Sequence, residues 1–360
     1  MQNIRGEAHL ATRDLAADLA FFTGRLGFRL DRIAPADDPR MAVLSGHGLR
    51  LRLERGEGPA GSLGLLADDP VLIAGGAREL TAPGGARVTI EALDPPLVMP
   101  PTEHAFVVRR LADEAPWVVG RAGMEYRDLV PGRLGGAMIA SHIRIPQGGP
   151  VPDMVHFHKV GFQLIFCIRG WVDVVYEDQG PPRRLHPGDC FIQPPEIRHR
   201  VLTASDGLEV IEIGVPAEHL TEIDHAMELP TPVTRPDRDW AGQRFVHNRA
   251  EGAEWGPFRL PGYLCRDTTI AENSGGVASV QVVRKGQGNP AMTRHDADIL
   301  FGFVMSGTMV LQGEGAGPHP LAAGDAFVTP PGMATRWADP SADFELLEVA
   351  LPGLFGTQAA

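Results

Sequence analysis

An internal repeat constrains the fold of this chain more than any other feature. Tyr126-Arg-Asp128 is echoed by Cys265-Arg-Asp267, and the segment Pro187–Pro195 is echoed by Ala323–Pro331. The spacing between matched positions changes little, from 139 residues for the first pair to 136 for the second. From about residue 115 onward the chain therefore holds two copies of one unit. We expect residues 217–260, which are rich in Pro, Asp and Arg, to link them.

Composition predicts that each copy is built of β-strands. The chain has 43 glycines and 32 prolines among 360 residues, yet 43% of the residues are hydrophobic. Many turn residues beside an ordinary core are typical of short strands joined by tight turns. β-branched and aromatic runs such as Gln163–Ile168 and Trp171–Tyr176 alternate with Gly and Pro turns. We therefore expect a mainly β protein in which each copy closes as a barrel.

Charge and cysteine content narrow the class of protein. The chain has 33 basic and 45 acidic residues, a formal net charge of −12, which disfavours nucleic acid as a partner. Cys167, Cys190 and Cys265 lack CxxC spacing and indicate free thiols in a reducing compartment. No apolar targeting or membrane segment is visible, so we expect a soluble cytoplasmic protein that binds no membrane.

The first hundred residues carry a different pattern. Glu7–Thr12 predicts a strand, and the apolar residues Leu15, Leu19 and Phe22 predict a helix over residues 14–24. Three short strands follow as far as residue 54, each bounded by Pro, Asp or Gly turns. The predicted order is βαβββ, a small α+β module in front of the two barrels.

This module resembles one module of the vicinal oxygen chelate (glyoxalase/bleomycin-resistance) family, through His9-Leu10, Phe21-Phe22 and Leu26-Gly27-Phe28. In that family the metal ligands lie on the first and last strands, which correspond here to His9 and Glu54. A full site needs two modules, and residues 61–110 show no second copy of the helix pattern. Within them, the Pro-rich segment Asp94–Pro101 predicts a linker or a strand-poor extension. His9 and Glu54 are either ligands or ordinary strand residues of a docking or dimerisation module.

The clearest candidate site lies in the first copy. His156 and His158 are two positions apart, so in a strand their side chains face the same way, about 6–7 Å apart. His199 follows a Gly-Asp turn and a Pro-Pro corner and belongs to another strand. Three imidazoles from two strands of one barrel can hold one divalent ion and leave positions open for water, O₂ or substrate.

The same residues resemble the two sequence motifs of the cupin family. The matching residues are Gly149, His156, His158, Gln163 and Gly170 in the first motif and Gly188, Pro194 and His199 in the second. The second motif departs from the family at Glu196, where a glycine is usual. The resemblance covers about two thirds of the chain. It implies a bicupin with two double-stranded β-helix barrels and one divalent metal in the first barrel.

Gln163 stands where the family usually has a glutamate ligand. Three neutral imidazoles, with at most an amide oxygen, leave the ion its full positive charge, so the site should favour anionic chelating substrates. Two alternatives are open for Gln163. It either ligates the metal directly, or it swings away and hydrogen-bonds a metal-bound water or the substrate.

The second copy has lost most of these ligands. The counterparts of His156, His158, Gln163 and His199 are Thr293, His295, Leu300 and Thr335. We expect a structural barrel there, unless Asp296 and Asp298 rebuild a site beside His295. The predicted division is a module and linker over residues 1–110, a metal-binding cupin over 111–225, and a linker with a degenerate cupin over 226–360.

Other charged residues give weaker signals. Arg127, Arg144 and Arg198 are candidates for gripping a substrate carboxylate, although pairing at the surface or between domains is the alternative. The remaining histidines of the two copies that lack motif partners are expected at the surface: His142, His186, His219, His225 and His319.

Three functions agree with these features. The first is a non-haem Fe(II) dioxygenase, of the gentisate type in layout, that acts on a small hydroxylated or carboxylated, possibly aromatic, substrate. In this interpretation Gln163 and Arg198 contact the reactants. The second is a non-redox isomerase or lyase with Mn, Ni or Zn as Lewis acid. The third is a ligand-binding protein without turnover. We expect a homodimer in each case.

Overall fold

The structure is a computed structural model that describes residues 4–12, 14–25, 28–46, 49–56, 62–81, 87–113, 116–288 and 290–360. Its described residues are mainly β-strands with short helices, which confirms the predicted fold class. The chain divides into two compact units. One comprises residues 1–98, 154–159 and 219–227, and the other comprises residues 99–153, 160–218 and 228–360. The three-domain boundaries drawn from the sequence stay a prediction.

The N-terminal region follows the predicted βαβββ order and then continues. Its elements are β1 (Ile4–Thr12), α1 (Leu15–Ala20, continued by a π-helical turn, Phe21–Arg25), β2 (Arg29–Ala34), β3 (Met41–Gly46), β4 (Leu49–Arg55), β5 (Ser62–Ala67), α2 (Val71–Ala74), β6 (Glu79–Thr81) and β7 (Arg87–Ala92). Asp14 starts the helix, because its carboxylate accepts the Ala17 N–H at 2.9 Å. Leu15 then shares a core with Leu44 and Leu53 of the sheet. Leu26 and Gly27 lie outside the described residues.

The Pro-rich segment Asp94–Pro101 contains no strand, but residues 62–92, where the sequence shows no second module, form three strands and a short helix. Strand β5 pairs in parallel with β7, as β1 does with β4, and β6 pairs antiparallel with β7, as β3 does with β4. The strand order β2-β3-β4-β1-β5-β7-β6 is therefore a βαβββ module followed by a second one that lacks a strand. The helix α2 has only four residues, Val71–Ala74, which is too few to leave a helical pattern in the sequence.

The first repeat copy, together with the strand that precedes it, contains thirteen strands among its described residues. They are β8 (Val107–Arg109), β9 (Val118–Val119), β10 (Glu125–Asp128), β11 (Ile139–Ile145), β12 (Gly149–Pro150), β13 (His156–His158), β14 (Phe162–Arg169), β15 (Val172–Tyr176), β16 (Arg183–Leu185), β17 (Cys190–Ile192), β18 (His199–Ala204), β19 (Leu208–Val215) and β20 (Thr221–Ile223). Two 3₁₀ turns, Arg121–Gly123 and Arg133–Gly136, flank β10.

The segment between the copies and the second copy supply the remaining elements. They are β21 (Asp239–Trp240), β22 (Gln243–Arg244), β23 (Val246–Asn248), β24 (Gly256–Pro257), β25 (Tyr263–Asp267), α3 (Ile270–Asn273), β26 (Ser279–Lys285), β27 (Thr293–His295), β28 (Ile299–Ser306), β29 (Thr308–Gly313), β30 (His319–Ala322), β31 (Ala326–Val328), β32 (Thr335–Ala338), β33 (Glu345–Leu351) and β34 (Thr357–Ala359).

Both copies have the same sheet topology. In the first, one sheet runs β17-β14-β19-β11-β10 and the other runs β16-β15-β18-β13-β20. In the second, the matching orders are β31-β28-β33-β26-β25 and β30-β29-β32-β27-β34. One hydrophobic cluster joins residues of both copies, among them Phe166 and Ile211 of the first with Phe301 and Val349 of the second. The two barrels therefore share a core.

Each copy lends its N-terminal strand to the other copy. Strand β8, which precedes the first copy, pairs with β31 of the second, and β23, which precedes the second copy, pairs with β17 of the first. The segment predicted to be only a linker, residues 217–260, therefore contributes a barrel strand. That prediction is corrected because strand pairing over such distances leaves no local pattern.

The exchanged strands end at matching turns. Asp189 of the first copy accepts the backbone N–H of Ala250 at 2.7 Å, and Asp325 of the second accepts that of Leu111 at 2.7 Å. The glycine before each aspartate has a positive φ, +88° at Gly188 and +92° at Gly324. A Cβ at Gly188 would lie 2.9 Å from that of Ala250, so glycine is required there for backbone conformation and for space.

Two arginines complete the exchange. Arg127 and Arg266, the central residues of the repeated tripeptide, are 1% and 3% exposed. Arg127 Nη2 donates to the carbonyl oxygen of Gly324 at 2.6 Å, and Arg266 Nη2 donates to that of Gly188 at 2.6 Å. Each copy thus binds the turn of the other through a buried guanidinium. We call this pair of contacts the arginine clasp.

We expect Arg127→Ala and Arg266→Ala each to lower the free energy of unfolding by about 2 kcal/mol, because each leaves a buried carbonyl without its charged donor. Urea denaturation measures the loss. Arg294→Ala is the control, since its ion pair with Glu314 and its hydrogen bond to the carbonyl of Gly332 are both exposed, and their loss should cost less than about 1 kcal/mol. Equal losses in clasp and control variants would contradict the assignment.

Candidate metal centre

The structure brings together the three histidines that the sequence predicts as ligands. His156 and His158 lie on β13, and His199 begins β18. One ring nitrogen from each lies within 4.8 Å of the others, and all three side chains are buried. The rings of His156 and His158 are 5.1 Å apart and nearly perpendicular. Within the described part of the chain, this is the one cluster of His, Cys, Asp or Glu side chains with such geometry.

Hydrogen bonds at Nδ1 orient the three rings. His156 Nδ1 bonds the carbonyl oxygen of Met154 at 2.7 Å, and His199 Nδ1 bonds that of Ile197 at 2.9 Å. A carbonyl only accepts, so both Nδ1 atoms carry the proton and both Nε2 atoms keep a lone pair. His158 Nδ1 lies 3.0 Å from the hydroxyl of Thr221. Such partners are typical of metal-binding histidines.

The protonation state of His199 also suits metal binding. Burial lowers the pKa of His199 to about 4, so its imidazole is neutral at pH 7. A neutral imidazole is the form that binds zinc, iron, manganese and nickel. Three oriented, neutral and buried nitrogen donors therefore fit one first-row divalent ion.

Gln163 is locked by a residue that the sequence did not single out. Its Nε2 donates to Glu212 Oε1 at 2.6 Å, and Gln163 is 1% exposed. A carboxylate only accepts, so the amide must present its nitrogen to Glu212 and its oxygen elsewhere. The Oε1 atom of Gln163 is buried and has no hydrogen-bond partner among the described residues. This oxygen is therefore available as a donor to a metal ion or to a group bound there.

Other buried polar residues lie near His199. The Tyr176 ring is 5.6 Å from that of His199, and its hydroxyl accepts a hydrogen bond from Gln193 Nε2 at 2.9 Å. Arg121 forms an ion pair with Asp153, and the charges of both influence the pKa of His199. No motif spacing marks these four residues in the sequence, because long-range strand pairing brings them here.

Two of the three candidate substrate arginines are used elsewhere. Arg127 belongs to the arginine clasp, and Arg144 stacks on Trp117 with its guanidinium 4.0 Å from the ring centre. Arg127 thus pairs between the two copies and Arg144 pairs at the surface, as the alternative interpretation holds. Arg198 donates from Nη1 to the carbonyl of Glu196 at 3.1 Å. Its role toward a substrate stays a prediction.

The prediction that the histidines without motif partners lie at the surface is wrong for two of the five. His142 is buried between the clasp and Glu209, with Nε2 2.8 Å from Glu209 Oε2. His219 is also buried, and its ring centre lies 5.5 Å from that of His158. Tertiary contacts decide both cases, since neither residue has a motif neighbour.

The structure does not bring His9 and Glu54 together as a ligand pair. His9 Nε2 lies 3.5 Å from Glu7 Oε1, and Glu54, 53% exposed, lies 3.5 Å from Arg52 Nε. In the parallel pairing of β1 and β4, His9 faces Arg52 and not Glu54. Both are ion-paired strand residues, as the alternative interpretation holds.

In the second copy, the residues that correspond to the candidate metal site make other contacts. Nε2 of His295 bonds the hydroxyl of Thr329 at 3.1 Å. Glu348, the repeat counterpart of Glu212, is buried and pairs with Arg259. The carboxylates that could have rebuilt a site are engaged: Asp296 accepts the Gly356 N–H at 2.5 Å, and Asp298 lies 2.7 Å from His104 Nε2.

The cupin domain family matches residues 141–214 and 279–349, one segment in each copy. No curated protein matches the sequence of the chain. No helix among the described residues is both long and apolar enough to cross a membrane.

Solved structures show the same architecture. An oxalate decarboxylase from Lactobacillus farciminis, in a formate complex, is similar with 14% identity and a TM-score of 0.52 over 73% of this chain and 91% of that chain. A salicylate 1,2-dioxygenase from Pseudaminobacter salicylatoxidans is similar with 16% identity and a TM-score of 0.52 over 73% and 90%. The structure of its adducts with gentisate is similar with 18% identity and a TM-score of 0.51, over 73% of this chain and 87% of that chain. These identities bear on the fold alone. Two segments of the chain thus match the cupin domain, and the fold is that of two cupin barrels in tandem.

Proposed function

We propose that this bicupin holds one divalent metal ion on His156, His158 and His199 and acts on a small anionic chelator. The observation that carries the proposal is the convergence of three buried ring nitrogens within 4.8 Å, two of them with a tautomer set by a backbone carbonyl. When bound, the ion would supply a Lewis-acidic centre, capable of redox chemistry if it is iron. Fe(II) is our leading candidate, with Mn, Ni and Zn as alternatives.

The residues around the ion would divide the remaining tasks. Glu212 holds the Gln163 amide by its nitrogen, and the amide oxygen would contact the ion or a group bound to it. Burial raises the pKa of Tyr176 far above its usual range, so its hydroxyl stays protonated and can donate a hydrogen bond. Arg198 would meet the substrate carboxylate.

Charge favours an anionic substrate. Three imidazoles and an amide carry no negative charge, so a dianionic or phenolate-carboxylate ligand would neutralise the ion. Dioxygenation of a small hydroxylated or carboxylated aromatic acid is our first choice, supported by the shared fold with the salicylate 1,2-dioxygenase and its gentisate adducts. A lyase reaction is the second choice, since the oxalate decarboxylase is similar to the same degree. Cytoplasmic location and homodimer formation stay predictions.

We expect His156→Ala and His199→Ala to lose at least about nine tenths of the bound metal, because two imidazoles hold a divalent ion weakly. Metal analysis by mass spectrometry of purified protein measures this. His295→Ala is the matched control, since His295 is the repeat counterpart of His158, and it should keep its metal. Unchanged metal content in His199→Ala, or none above background in the parent protein, would overturn the site.

Glu212→Gln tests the role of Gln163. If the amide oxygen is a ligand, freeing the amide to rotate should weaken metal binding about tenfold in a chelator competition titration. Glu209→Gln is the control, because Glu209 lies on the same strand but pairs with His142. Unchanged affinity in Glu212→Gln would show that Gln163 does not ligate and serves a bound water or the substrate instead.

The reaction itself is tested with protein loaded anaerobically with Fe(II). We expect O₂ consumption that depends on gentisate or salicylate and falls at least about 100-fold in His199→Ala, as removal of a ligand from a metal enzyme predicts. Release of CO₂ from oxalate without net O₂ consumption would favour the lyase. Metal-loaded protein that transforms none of the three acids would contradict both reactions.

A further inference from the structure

A polar cavity lies beside the Gly-Asp turn of the first cupin domain, and none of the three histidines lines it. It has a volume of about 510 Å³ and is lined by Arg183, Arg249, His186, Gln179, Asp189 and Glu251, with prolines at its edge. Ligand sites of small molecules typically span about 300–1,000 Å³. All lining residues belong to one compact unit, so the cavity is built within that unit.

Two guanidinium groups in this cavity have no carboxylate partner. Arg183 donates from Nη2 to the carbonyl of Gln179 at 3.0 Å, while its Nε is buried and without a hydrogen-bond partner. Arg249 is exposed, and among the described residues no ion pair involves either arginine. Both arginines line the same cavity. Burial lowers the pKa of Arg183, and the positive charge of Arg249 lowers it further.

The other charges near the cavity do not neutralise this pair. Arg184 is already committed to Asp173, with two hydrogen bonds of 2.8 and 2.7 Å. Asp189 accepts the backbone N–H groups of His186 and Ala250, at 3.1 and 2.7 Å, so its oxygens serve the turn. Glu251 is exposed at the rim.

A buried histidine precedes Arg249 by two residues. The side chain of His247, on β23, is 4% exposed, and neither ring nitrogen has a hydrogen-bond partner among the described residues. The pKa of His247 is lowered to about 4, mainly by burial, with the positive charge of Arg249 as the next cause. Strand β23 thus carries a buried, neutral histidine two residues before Arg249.

We propose that this cavity binds the oxyanion of a small metabolite, a phosphate or a carboxylate group, between Arg183 and Arg249. Paired guanidiniums present the forked donors that such groups accept, and each bond is charge-assisted. Pro181 and Pro182 stiffen the edge of the cavity, so little ordering is needed on binding. The ligand would join β16 to the segment that follows β23, beside the turn held by the arginine clasp. This site is independent of the proposed metal chemistry.

Titration of the metal-loaded protein with inorganic phosphate, and separately with citrate, tests the proposal. At constant ionic strength we expect saturable binding by calorimetry and a rise in Tm, both absent with sodium chloride. Arg249→Ala should weaken binding at least about tenfold, as loss of a charge-assisted contact predicts. Because Arg249 is exposed, this variant should fold normally. Arg183→Ala should act in the same direction.

The control variant is Arg244→Ala, which removes an exposed arginine outside the cavity. It should bind like the parent protein, and metal content is measured in every sample to separate this site from chelation at the histidines. Binding of phosphate alone would assign a phosphoryl group, and binding of citrate alone would assign a carboxylate. No saturable binding of either anion, or equal affinity in parent protein and Arg249→Ala, would overturn the proposal.

Discussion

The reciprocal exchange between the two cupin domains is the constraint on which the rest of the structure depends. Each copy supplies an edge strand to the other, and an aspartate of the receiving copy accepts a backbone N–H just after that strand. The buried Arg127 and Arg266 each bind the glycine turn of the opposite copy. A buried guanidinium is costly unless its donors are satisfied. The two domains therefore stabilise each other, and neither has its complete set of strands alone.

The exchange matters for the candidate metal centre because it holds the first domain's Gly-Asp turn. That turn leads into β17 and the Pro-Pro corner before His199. A ligand set needs positions accurate to a fraction of an ångström. Backbone carbonyls then fix the orientation of the rings, because the carbonyls of Met154 and Ile197 set the tautomers of His156 and His199.

The two copies show how one fold can keep a site and lose it. Where the first domain has Glu212 bonded to Gln163, the second has Glu348 paired with Arg259. Burial raises the pKa of Glu348, and the nearby guanidinium opposes that rise. In the second domain the Glu348 carboxylate therefore pairs with the guanidinium of Arg259, whereas in the first domain the Glu212 carboxylate accepts a hydrogen bond from the Gln163 amide. The metal chemistry we propose therefore belongs to one domain, while the other contributes the clasp and the shared core.

Sequence by itself determined the repeat, the β class of its copies and the positions of His156, His158 and His199, because strand alternation, turn glycines and motif spacing are local properties. Only the tertiary structure decided which partners those residues meet. The bond from Gln163 to Glu212 spans 49 residues, and the clasp from Arg127 to Gly324 spans 197. Pairing of distant strands depends on the free energy of the whole packed chain, which no local pattern encodes.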